Sequence, residues 1–150
     1  MDPAPSSDFQ QYLKHSREII EESNWILLRD EFSEEDTNDL VSTFGELKFI
    51  FDLLFSMIVF DENQTTVTIN GKKIINLNGY DLGSIVHASL FEIRDSIQSS
   101  IQLLDDLRVQ YFFPMFKSEI VIKIQKQFQN IDLSTKELYT QFESYEMIMI

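Results

Sequence analysis

Two histidines, twenty-five acids and no cysteine are the groups from which any chemistry in this chain would have to be built. Without Cys there are no disulfides, thiolate metal sites or thiol nucleophiles. His15 and His87 fall on separate predicted helices. Neither belongs to Glu-x-x-His or His-Glu-x-x-His, the spacings that turn two ligands to one helix face. The glycines (Gly45, Gly71, Gly79, Gly83) make neither a dinucleotide fingerprint nor a phosphate-cradling loop. Asp61-x-Asn63-x-Thr65 starts like a calcium loop, but Thr66 stands where the turn needs Gly and Lys72 where the closing Glu belongs. The neighbouring acids Glu21-Glu22 and Asp105-Asp106 diverge by about 100° on a helix, so neither pair converges on a substrate. Asp52 is the one acid inside a strongly apolar stretch. It reads as a polar-edge residue paired with a base such as Lys48, with a tuned catalytic carboxylate as the rival. The residue types therefore predict no enzyme, no cofactor and no metal.

Charge is the stronger signal. The net charge is −13, and residues 1–39 alone carry eleven acids against three bases. Nucleic acid and anionic membrane surfaces are disfavoured, because both are held by clustered Lys and Arg. A basic protein is the partner such a field attracts and steers. At 3.6 residues per turn, Trp25 turns away from the apolar stripe of its helix, among Glu18, Glu21, Glu22 and Arg29. Trp is enriched among interface anchors, so Trp25 with Glu18, Glu21 and Glu22, followed by Glu34, Glu35 and Asp36, is the predicted partner-binding set. The competing reading is that the helix bends or that a second element covers this side. As a binding anchor, Trp25 would tolerate Trp25→Ala with folding nearly intact and partner binding weakened.

The elements that must position these residues are mostly helices. Residues 1–6 read as a tail and 7–150 as one domain. Ser7 and Gln10 suggest a capping box opening a helix from about Asp8 to Arg29, with Phe9, Leu13, Ser16, Ile20, Ser23 and Leu27 inward. Ser33 caps a second helix, where Glu34, Glu35 and Asp36 suit the dipole. That helix runs into the most apolar stretch, Leu47 to Phe60. Leu47, Ile50 or Phe51, Leu54 and Ile58 make one face; Phe49, Leu53, Met57 and Phe60 fill another. Gly45 suggests a close helix crossing. Lys48 and Asp52 interrupt the stretch, which argues against a membrane span.

A β-hairpin is expected over 65–77. Thr65 to Ile69 is rich in β-branched residues, Asn70-Gly71 suits a tight turn, and Lys72 to Leu77 returns, with Ile75 on the opposite face. A long helix follows from about Asp81 to Tyr111, ended by Pro114. The next helix carries Phe113, Phe116, Ile120, Ile124 and Phe128 inward, and Lys117, Lys123 and Lys126 make it the natural neighbour of the acidic first helix. A fifth helix is expected from the Ser134/Glu137 capping box and the Leu133/Leu138 staple, running to Ile150.

The predicted fold is thus mainly α, an irregular bundle of about five helices with one inserted hairpin. The predicted function is a non-enzymatic acidic interaction module, an inhibitor or regulator of a basic partner protein, with a nucleic-acid-handling protein as one candidate. With no basic-then-apolar leader at Met1–Ser7, a cytoplasmic location is expected. The alternative is a structural subunit or homodimer that associates through Tyr145 and Met149 on the last helix and through the hairpin. Salt separates the two, because contacts with an acidic face weaken steeply with ionic strength and apolar ones do not.

Overall fold

The computed structural model describes residues 5–60, 67–69, 72–74, 82–109 and 117–145. Among these are four α-helices: α1 (Pro5–Glu22), α2 (Glu34–Ser56), α3 (Leu82–Val109) and α4 (Lys117–Tyr145). A short 3-10 helix, Asn24–Leu28, joins α1 to α2, and three strands, β1 (Ile58–Phe60), β2 (Val67–Ile69) and β3 (Lys72–Ile74), lie between α2 and α3. Each helix packs on its neighbours in sequence, and α4 closes the ring onto α1. The α3–α4 pair is the most extensive of these contacts. Ser96 and Ser100 are buried on α3, and the Ser100 hydroxyl donates to the Ser96 carbonyl at 2.8 Å.

The core is one continuous cluster. Phe9, Leu13 and Ile20 enter from α1; Leu40, Phe44, Leu47, Phe51 and Leu54 from α2; Leu90, Ile93, Ile97 and Leu104 from α3; and Ile124, Phe128, Ile131 and Leu138 from α4. Phe44 meets Phe128 edge-on across the centre, with ring centroids 6.3 Å apart. That is the geometry favoured by ring quadrupoles.

The expected architecture of about five helices with one hairpin is corrected at four places. First, the fourth and fifth helices are one: α4 runs unbroken through Leu133-Ser134-Thr135. The staple does not form, since Leu133 is 57% exposed. Asp132 and Thr135, which resemble part of a helix start, are instead committed to a buried arginine of α1. Second, a lone two-stranded hairpin is not what is seen. Ile58–Phe60, expected to be helical, is strand β1 and pairs antiparallel with β2 (Ile58 with Ile69, Phe60 with Val67), while β2 pairs antiparallel with β3 (Val67 with Ile74, Ile69 with Lys72). The helix stops at Ser56 and Met57 because Ile-Val-Phe is better suited to an extended strand.

Third, α2 is not covered all round. Phe49 is 71% exposed, and Leu53 and Met57 are half-buried. Nor does Gly45 mark a close crossing, for nothing lies within 4 Å of where its Cβ would be. Fourth, the first helix begins at Pro5, inside the expected tail, and ends at Glu22, short of Arg29. Pro suits the first helical turn because that N–H has no partner in the helix.

The Asn70-Gly71 turn, the residues around Asp61–Thr66, Ile75, Phe113, Pro114, Phe116 and Met149, and the side chains of Ser7, His87, Phe142 and Tyr145, lie outside what is described. Among the described residues no helix is long and apolar enough to cross a membrane.

Candidate functional site

The acids of the predicted set divide between two elements and several tasks. Glu18 and Glu21 are exposed on α1. Glu18 stands 3.8 Å from His15, and Glu21 stands 3.6 Å from Arg17. Glu22, also exposed, has no ion-pair partner among the described residues. Glu34 and Glu35 are exposed in the first turn of α2. Asp36 is occupied: its carboxylate accepts from the Ser33 N–H at 3.0 Å, and its own N–H donates to the Ser33 hydroxyl at 3.0 Å. Asp36 therefore serves as the reciprocal cap of α2.

Trp25 is not on the acidic face of a continuous helix. α1 ends at Glu22, where the Ser23 N–H donates to both the Ile19 and Ile20 carbonyls at 3.1 Å, and the chain tightens into the 3-10 helix. This turn buries Ile26 and brings Trp25 edge-on to the buried Phe32, centroids 6.4 Å apart, with the Arg29 guanidinium 5.7 Å from the indole centroid. Gln125 of α4 locks the turn, donating to the carbonyls of Ile26 at 2.7 Å and Arg29 at 2.6 Å. Half-buried Trp25 thus lies against the core, and any substitution there touches Phe32 packing as well as the surface. Tyr145 is the last residue of α4.

Asp52 is exposed on α2 and takes two bases, Arg94 of α3 at 3.0 Å and Lys48 at 3.9 Å. Arg94 also lies over the Phe55 ring at 4.3 Å. The cluster reads as a surface clasp between α2 and α3, in a cleft that Asp95 also lines. No group of three His, Asp or Glu residues close enough to hold a metal ion occurs among the described residues.

Two features escaped the sequence reading. One is the buried Arg17, whose Nη1 lies 2.8 Å from the Asp132 carboxylate, 3.0 Å from the Asp132 carbonyl and 2.7 Å from the Thr135 hydroxyl. Its only sequence signal was a base on the inward side of α1, next to Ser16 and Ile20. The other is an open groove between α1 and α2, of about 660 Å³, lined by Tyr12, His15, Gly45, Glu46, Phe49 and Ile50. Its signal was an aromatic beside a glycine turn at the polar edge of an apolar helix, which helical periodicity alone assigns to the core. No family model, curated protein or solved structure matches the chain.

Proposed function

We propose that this protein is a non-enzymatic acidic interaction module that binds, and so inhibits or regulates, a basic partner protein inside the cell. The observation that supports this is the state of its acids. Glu22, Glu34, Glu35, Asp39 and Glu46 are all exposed and have no ion-pair partner among the described residues, on a chain of net charge −13. Unpaired exposed carboxylates repel one another and keep their field available to a cation. The bases of α1 and α2 do not cancel it: Arg17 is buried against α4 and Lys48 stands beside Asp52, which leaves the exposed Lys14 against five such acids.

The test is capture of partners by the tagged full chain from its native lysate, at low salt and again at about 0.5 M salt, where screening acts within roughly 3–5 Å. The expected result is one stoichiometric partner of high pI that is lost at high salt, and lost at low salt with Glu34→Lys and Glu35→Lys together. A salt-resistant complex, or recovery of the protein with itself alone, would overturn the reading.

A further inference from the structure

We propose that the groove between α1 and α2 is the docking site for a basic amphipathic helix of a partner protein. This rests on the acidic-module reading and names its site and the chemistry it takes. The floor is apolar and open. Phe49 stands 71% exposed and Tyr12 40%, with Ile50 beneath them, and the missing side chain of Gly45 leaves a gap that no described residue fills. A large aromatic left in water on the same wall as a glycine gap is unfavourable for an isolated surface and suits one that is covered.

The rim supplies the argument about what covers it. Glu46 lines the groove itself, and His15 on the opposite wall stands beside Glu18. Along α2, Glu35, Asp39, Ser42, Glu46 and Phe49 follow one another at alternating steps of four and three, so they share one face, and all are exposed. The acids on that face, Glu35, Asp39 and Glu46, have no ion-pair partner among the described residues. An occupant that buries apolar side chains against Tyr12 and Phe49 while presenting Lys or Arg to these carboxylates meets both demands. A helix with apolar residues at three- and four-residue spacing and a basic opposite edge does so with a single element. A second copy of this chain is the poorer fit, because it would bring another −13 toward the same acidic rim.

The experiment uses the full chain and a synthetic 18-residue probe of Leu and Lys arranged with helical amphipathic spacing. A scrambled peptide of identical composition and a Leu/Glu version of the same pattern serve as controls. Binding is measured by calorimetry, and backbone amide shifts locate it. The proposal expects the patterned basic probe to bind, to shift the amides of Tyr12, His15, Gly45 and Phe49, and to bind at least about tenfold tighter than the scramble. Phe49→Ala is expected to weaken it about tenfold or more and Glu46→Lys severalfold, while Leu133→Ala on the outer side of α4 changes nothing. Phe49 is exposed, so its variant keeps the fold, which circular dichroism verifies.

If the patterned and scrambled basic peptides bind equally and Phe49→Ala is without effect, the groove is overturned while the acidic-module reading stands. If shifts fall elsewhere on the surface, the groove is likewise overturned. If no basic peptide binds even at low salt, both fail. Dimerisation by sedimentation that is lost in Phe49→Ala would overturn the proposal in favour of a second copy as occupant.

Discussion

The residue that most shapes this molecule is Arg17. A guanidinium presents several donors in a rigid fork and cannot shed its charge, so burying it requires acceptors placed around it. Asp132 and Thr135, on successive turns of α4, provide them, and the Thr135 hydroxyl is itself anchored on the Asp132 carbonyl at 3.1 Å. Breaking such a pair from one side costs more than the pair is worth, because the abandoned charge stays buried. The two partners differ in how they would cope. Each keeps one exposed second partner, Asp132 the ammonium of Lys136 at 3.5 Å and Arg17 the carboxylate of Glu21 at 3.6 Å. But Arg17→Met keeps the apolar stem in place, whereas Asp132→Ala leaves a buried guanidinium that cannot shed its charge. Asp132→Ala is therefore expected to destabilise by about 3 kcal/mol. Arg17→Met should cost clearly less. Urea unfolding followed by the fluorescence of the sole Trp, Trp25, compares the two. Equal costs for both variants would mean that leaving Asp132 without Arg17 is as unfavourable as leaving Arg17 without Asp132.

At the scale of elements, the decisive fact is that α4 is continuous through a segment that reads as a helix start. Ser-x-x-Glu preceded and followed by Leu is a strong local signal. It loses here because residues on either side of it, Asp132 and Thr135, are held one helical turn apart by the buried Arg17, and Leu133 stays 57% exposed instead of closing the staple. Lys136→Pro separates the alternatives. Proline in a first turn costs little, but in the interior of a 29-residue helix it removes a backbone bond and clashes with the preceding turn, at about 3 kcal/mol. The continuous helix predicts the large loss in thermal or urea unfolding, with Lys136→Ala nearly neutral. α2 offers the opposite case. Gly45 sits mid-helix with open space where a Cβ would go, so Gly45→Ala should stabilise the protein by about 1 kcal/mol. A loss of stability on that substitution would show that the glycine is needed for its backbone. In the groove reading, the gap at Gly45 is kept for an occupant rather than for the fold.

At the scale of the whole molecule, a closed ring of four helices leaves the grooves between neighbours as its available surface. They differ in kind. The cleft between α2 and α3 is crossed by the Arg94–Asp52 pair. The α1–α2 groove has apolar walls, and among the described residues its Glu46 has no partner. On the proposed reading the acidic surplus would oppose self-association there and attract a cationic helix, so binding that strengthens as salt is lowered is the expected signature.

Much of this was legible from residue order, and the reason is physical. Apolar recurrence at three and four residues placed Leu40, Phe44, Leu47 and Leu54 inward on α2, and Phe9, Leu13 and Ile20 inward on α1, because one helix face is all that periodicity describes. The Ser33 cap was equally local, made by atoms three residues apart. The α1–α4 neighbourhood was anticipated from opposite charge, but the buried pair has the opposite sense, with the base on α1 and the acid on α4. What tertiary structure decided involves partners far apart in the chain. The turn after Glu22 is held by Gln125, the middle of α4 is held by Arg17, and the exposure of Phe49 follows from which helices flank α2. A helix face carries no record of whether a neighbour arrives to cover it. Packing therefore chose which apolar residues became core and which were left lining a groove.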